Sequence, residues 1–367
     1  MKLFVCGDVM TGRGIDQILP NPSDPRLHEP YVRSAQRYVA LAENTTGPLP
    51  RRVDFDYVWG DALGVNDSER PDVRIVNLET AVTTSDDAWP DKEIHYRMHP
   101  ANADCLRAAR IDCCTLANNH VLDWGYRGLA ETLATLRGAG IRTAGAGSDD
   151  ADAAAPAVLD TDSGARVLVF AFATTSAGVP RKWAASRDRA GVDLLDAFDQ
   201  STVADVGRRV AAAKRNGNLA VAAIHWGANW GYAVASAQRK FAHALVDDAG
   251  IDMIVGHSSH HPVGIEVYRE HLILYGCGDF LNDYEGIGGH ETYRPELTAG
   301  YFASLELATG RLARLRLAPF RIRHFRLEHA SAEEARWLAR TLTREGQTFG
   351  TRVVSEGYNL LLRGVRS

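Results

Sequence analysis

The chain has 367 residues, 45% hydrophobic and 24% charged, with a net charge of −5. That balance is ordinary for a globular protein, and without a Lys/Arg stripe it argues against a nucleic-acid partner. No run approaches the ~18 consecutive apolar residues of a membrane helix, so no membrane insertion is predicted. With no repeat, low-complexity run or clear linker, one domain over 1–367 is the simplest expectation. Met1 to Asp8 enters a strand at once and lacks the apolar core and cleavage site of a secretory signal, which predicts a cytoplasmic protein. The five cysteines (Cys6, Cys105, Cys113, Cys114 and Cys277) are odd in number and irregular in spacing. Buried thiols are therefore expected, not disulfides or a thiolate zinc site.

Leu3 to Cys6 predicts the first strand, with Asp8 at its C-terminal end and a glycine-rich turn after it. Residues 20–58 are proline-punctuated, polar and weakly periodic, and are expected to form a lid or binding loop. Asp72 to Glu79 predicts the second strand, ending in Asn77 and Glu79. Ile94 to Pro100 alternates in type and predicts an edge strand presenting Arg97, a residue suited to clamping a phosphate or carboxylate. A helix over 102–109 leads to a third strand, Ile111 to Ala117, which runs into Asn118-Asn119-His120. Leu129, Leu133 and Leu136 predict a helix over 128–137, before a short strand over 141–147. Arg166 to Ala173 is strongly strand-like, and 174–198 is a second irregular loop carrying Arg181, Lys182 and Trp183. A helix over 202–215 precedes the buried strand Leu219 to Ile224, closed by His225-Trp226-Gly227. A helix over 238–249 precedes the strand 251–255, which opens into Gly256-His257-Ser258-Ser259-His260-His261-Pro262. Strands over 264–268 and 272–277, a hairpin about Thr309-Gly310 and a helix over 333–345 complete the chain. Strands and helices alternate at βαβ spacing, which predicts an α/β fold with a partly parallel sheet.

Asp8, Glu79, Asn119, His120, His225, His257 and His260 all follow apolar strand runs. Each alone reads as a cap or a surface residue. Parallel strands, however, deliver their C-terminal ends to one edge of a sheet. Oxygen and imidazole ligands gathered there suit a divalent cation such as Mn²⁺, Fe²⁺ or Zn²⁺. A bridging carboxylate such as Glu79 would allow two ions, the recurrent arrangement for phosphate-ester hydrolysis. His261 reads as a solvent-facing loop histidine.

The stretches Gly7-Asp8-Val9-Met10, Asn77-Leu78-Glu79-Thr80, Ala117-Asn118-Asn119-His120 with Asp123 and Gly125, His225-Trp226-Gly227, Gly256-His257-Ser258-Ser259-His260 and Gly278-Asp279-Phe280 lie in one order along the chain. In that order they resemble the CapA family of poly-γ-glutamate capsule biosynthesis proteins, itself similar to calcineurin-like metallophosphoesterases. The resemblance implies a four-layer α/β/β/α sandwich with metals at the strand ends. It implies Asp8 as ligand to a first ion, Glu79 as the bridge, Asn119 as ligand to a second ion and His120 as general acid. His225, His257 and His260 would complete the metal shells. The chain departs from the pattern at Met10, where the wider superfamily has a histidine, which implies a weaker or empty position. It departs again at Asn229, where an acidic residue is common, and at Ser258-Ser259 between the paired histidines.

A metal-dependent hydrolase of a phosphoester or a glutamyl-type amide is the leading expectation, on an anionic small molecule, peptide or polymer. The alternatives are an accessory role in making an anionic polymer, or transfer or ligation of a glutamyl group. No Gly-x-x-x-x-Gly-Lys-[Ser/Thr] loop is present, which disfavours a P-loop ATP mechanism.

Overall fold

The computed structural model describes residues 1–364. The principal strands are β1 (Lys2–Val9), β2 (Val73–Leu78), β3 (Cys113–Thr115), β4 (Arg142–Ala144), β5 (Arg166–Thr174), β6 (Leu219–His225), β7 (Met253–His257), β8 (Ile265–Tyr268), β9 (His271–Leu274), β10 (Asp279–Leu281), β11 (Leu297–Leu305), β12 (Leu312–Arg323), β13 (Thr351–Glu356) and β14 (Asn359–Gly364). The first sheet runs β13-β14-β12-β11-β1-β2-β3-β4, with β10 also paired to β1. Its β1 to β4 half and β10 are parallel, and β11 to β14 extend it antiparallel. The second sheet runs β5-β6-β7-β9-β8, with β5, β6, β7 and β9 parallel and β8 antiparallel; Leu194–Leu195 pairs parallel and Ala157–Asp160 antiparallel with β5.

Alternation along β5 shows how the layers stack. Val167, Val169, Ala171 and Ala173 join the core shared with β1, β2 and β3. Leu168, Phe170 and Phe172 point the other way. They pack with Val203, Val206 and Val210 of the helix Gln200–Ala213 and with Phe241 and Leu245 of the helix Ser236–Asp247. Leu129, Leu133 and Leu136 of the helix Gly125–Gly138 join the core of the first sheet. The result is the four-layer α/β/β/α sandwich. No helix among the described residues is long and apolar enough to cross a membrane.

Register places polar residues in two facing rows. On the first sheet Asp8 lies abreast of Asn77 on β2 and of Asp279 on β10. On the second, His225 of β6 lies abreast of His257 of β7. The first row depends on Gly7, where an added Cβ would stand 1.8 Å from the Gly278 carbonyl oxygen. Only glycine allows β10 to approach β1 so closely.

Three expectations need correction. The 20–58 segment is not irregular throughout, because Gln36–Thr46 is a helix that buries Tyr38, Val39 and Ala42. Of the predicted edge strand at 94–100 only Arg97–Met98 is extended, pairing Ala81–Val82 apart from both main sheets. The hairpin β13/β14 was not anticipated; Leu360 and Leu361 sit in the core, but Arg352, Ser355 and Glu356 are exposed and dilute the alternation.

Candidate metal centre

Asp8, Glu79 and His225 form the heart of the site. One ligand atom from each lies within 4.8 Å of the others, and all three residues are buried. Asp8 reaches this point as the penultimate residue of β1. Its Oδ1 accepts from Asn77 Nδ2 at 2.8 Å, and its Oδ2 accepts from the Ser258 backbone N–H at 3.1 Å. Ser258 donates from φ +92°, a conformation costly for a residue with a Cβ and characteristic of functional turns.

His257 and Asn119 flank this core. His257 Nδ1 stands 3.0 Å from Asp8 Oδ1 but makes no aligned hydrogen bond there. His225 Nε2 lies 3.0 Å from Asn119 Oδ1 and 3.9 Å from Glu79 Oε1. Glu79 Oε2 and His225 Nδ1 are buried without a hydrogen-bond partner. Buried polar atoms left bare are costly unless something outside the chain satisfies them.

His120 occupies the next position. Its Nε2 faces Glu79 Oε1 at 3.7 Å and its Nδ1 meets Asp123 Oδ2 at 2.7 Å. Asn118 holds this turn: its Oδ1 accepts from the His120 N–H at 3.0 Å and its Nδ2 donates to the Leu78 carbonyl at 2.9 Å. His260 is paired with Asp279. Its Nδ1 is 2.9 Å from Asp279 Oδ1, and Asn282 holds the other carboxylate oxygen at 2.8 Å.

The charges are unbalanced in a telling way. Burial and the neighbouring Asp8 push the Glu79 carboxyl far above its usual range. Burial opposes ionisation of Asp8 too, but His257 and His225 outweigh it and hold Asp8 below the ordinary value. Burial raises Asp279 as well, against the pull of His260. Burial pushes His225 down to about 3 and His120 down to about 4, the latter despite Asp123. Buried carboxylates crowded beside neutral imidazoles are a poor resting state for a protein by itself. The same donors suit a divalent cation, which would favour ionised carboxylates and take neutral imidazole nitrogens. The bare atoms and the chemistry of the donor set therefore fit a metal.

A family model described as bacterial capsule synthesis protein PGA_cap matches residues 2–284. The chain belongs to that family. This PGA_cap member is 49% identical over 362 residues to a probable polyglutamine synthesis accessory protein of Mycobacterium tuberculosis, covering 98% of this chain and 95% of the relative. It is 30% identical to the capsule biosynthesis protein CapA of Bacillus anthracis over 77% of this chain and 60% of that one. To the PGA biosynthesis protein CapA of Bacillus subtilis it is 29% identical over 56% of this chain and 52% of that one.

In this PGA_cap member not every residue singled out in the sequence reaches the centre. Arg97 does not: its guanidinium is buried, donating to the Ser85 carbonyl at 2.8 Å, to Asp86 at 2.8 Å and to the Asp24 carbonyl at 3.0 Å, over the Trp124 ring. With three of its five N–H donors committed there and its guanidinium buried, Arg97 ties loops together. His261 is not solvent-facing but 1% exposed, its Nε2 accepting from the Gly231 N–H at 3.1 Å and its Nδ1 donating to the Pro262 carbonyl at 3.2 Å. The sequence marks Asn77 as a strand-end residue and Asp279 as part of a family stretch but gives neither a role in the site, and Lys92, in a stretch with no periodicity, is not singled out at all. In the structure Asn77 is the penultimate residue of β2 and Asp279 the first of β10.

Proposed function

We propose that the chain is a metal-dependent hydrolase acting on an anionic substrate, with a phosphoester or a glutamyl-type amide as the bond cleaved. The observation that carries this reading is the buried convergence of Asp8, Glu79 and His225 with bare ligand atoms on Glu79 and His225. Those three, with His257 and Asn119 beside them and His260 at the rim, would hold one or two divalent ions; Mn²⁺, Fe²⁺ and Zn²⁺ suit the mixed oxygen and nitrogen set. A bound cation supplies Lewis acidity, acidifying a water and offsetting charge on the substrate. The chain's own part is to orient and to move a proton. His120 is the proton donor to the leaving group, through Nε2, while Asp123 fixes the ring through Nδ1. The ring is neutral at pH 7, because burial holds it at about 4. An anionic substrate beside Nε2 raises that value and so favours protonation where it is needed. The printed names of the relatives, which concern capsule, PGA and polyglutamine synthesis, support a peptide or polymer substrate. A glutamate chain is a polyanion, whereas a glutamine chain has uncharged side chains, and the proposed site would work within a pathway of this kind.

The name of the Mycobacterium tuberculosis relative favours a second reading, an accessory role without turnover. The two separate in one assay series. Mn²⁺-loaded protein is given para-nitrophenyl phosphate and a γ-glutamyl anilide. Hydrolysis of either, lost by about 10²-fold or more in His120→Ala with metal content retained, supports the enzyme. Metal bound with no turnover of either compound supports the accessory role.

A further inference from the structure

Lys92 lies outside both main sheets, in the loop between the short strands Ala81–Val82 and Arg97–Met98. Its Nζ is 2.6 Å from Asp123 Oδ1, 3.0 Å from His120 Nδ1 and 2.7 Å from the Ile94 carbonyl oxygen. Asp123 is fully buried. Its Oδ2 serves His120 Nδ1 and the Tyr96 backbone N–H, each at 2.7 Å. Among the described residues Lys92 is the cation at Oδ1, and no aligned hydrogen bond reaches that oxygen. The Tyr96 ring closes on the imidazole edge-on, with centroids 4.4 Å apart. Lys92 is 16% exposed at its side chain, whereas Asp123 is fully buried. The same loop leans on the 174–198 segment: Trp89 packs on Trp183 at 5.3 Å, and Lys182 lies over Trp89 at 5.1 Å.

We propose that Lys92 is a positioning residue for His120, acting through Asp123. The ion pair at Oδ1 and the two hydrogen bonds at Oδ2 restrain rotation of the carboxylate. The imidazole bound to it is therefore fixed with Nε2 turned toward Glu79. Removing the ammonium leaves a buried carboxylate oxygen without its counter-charge, and the carboxylate then turns to find another partner. The ring follows it. The proposal rests on the reading of His120 as proton donor, but its physical content, the fixed ring, is measurable without turnover.

The test uses full-length Lys92→Met, which keeps length and removes charge, and Lys92→Arg, which keeps charge. Side-chain nitrogen resonances of His120 are recorded in the metal-free protein with labelled histidine, and para-nitrophenyl phosphate turnover is measured with Mn²⁺. The expected result for Lys92→Met is a shifted or broadened pair of His120 ring nitrogens, unchanged Mn²⁺ binding, and a kcat lowered about tenfold or more with KM moved by less than about twofold. Lys92→Arg restores the wild-type resonances. His120 resonances in Lys92→Met that coincide with those of wild type overturn the proposal. If wild type hydrolyses nothing, the hydrolase reading fails and the ring resonances still decide this one. If Lys92→Met does not fold, Lys92→Gln carries the same measurement.

Discussion

Asp8 is the side chain through which the two sheets meet. It takes a hydrogen bond from Asn77 on its own sheet and one from the Ser258 N–H beyond the end of β7. Its neighbours share the burial that shapes every charge in the site. His261 gives that effect a clean readout, since both its nitrogens are satisfied in the neutral form. Burial pushes it down to about 4, whereas in the unfolded chain a histidine titrates near 6.5. The sign follows: above ~6.5 both states are neutral and the contribution to stability is complete. As pH falls from there toward about 4 the unfolded chain takes up a proton that the folded one refuses, and stability is lost. His261→Gln cannot titrate. Thermal midpoints of the metal-free protein should therefore fall less steeply in this variant than in wild type across that window. Parallel acid limbs would show that His261 is not held neutral.

Elements, more than loops, set the geometry. Parallel pairing of β6 with β7 brings His225 abreast of His257, and the β1/β10 approach at Gly7 brings Asp8 abreast of Asp279. The 20–58 segment is joined to this frame through Arg13. That guanidinium is buried, pairs with Asp283 at 2.6 Å and with Glu29 at 3.1 Å, and lies over the rings of Tyr38 and Tyr96. Arg13→Ala strands two buried carboxylates, and the expected cost is about 3–5 kcal/mol. Limited proteolysis should then cut first within residues 20–46. A variant as stable and as resistant as wild type would show that Arg13 does not anchor the segment. The strand framework was legible in the sequence because each buried strand is an apolar run that stops abruptly in polar residues. Asp8, Glu79 and His225 were legible for the same reason. The burial of Arg97 was not legible, because a sequence does not show that Ser85, Asp86 and Asp24 take up three of its donors. Lys92 was missed because only the folded loop brings it to Asp123, 31 residues away.

At the scale of the molecule, two sheets present their C-terminal edges to each other, and the polar ends of β1, β6 and β7, with Glu79 just past β2, share one buried volume. The family match spans this frame but stops at residue 284, before β11 to β14. Those later strands extend the first sheet on the side away from β2 and bring none of Asp8, Glu79, Asn119, His120, His225, His257 or His260. Everything chemical thus depends on whether the convergence holds a cation. Titration calorimetry of Mn²⁺ into metal-stripped wild type and Glu79→Gln decides it, with circular dichroism to establish that the variant is folded. Wild type should bind at least one ion per chain, and Glu79→Gln should bind at least about tenfold more weakly. Superimposable isotherms from the two folded proteins, or no heat from wild type, would contradict the account.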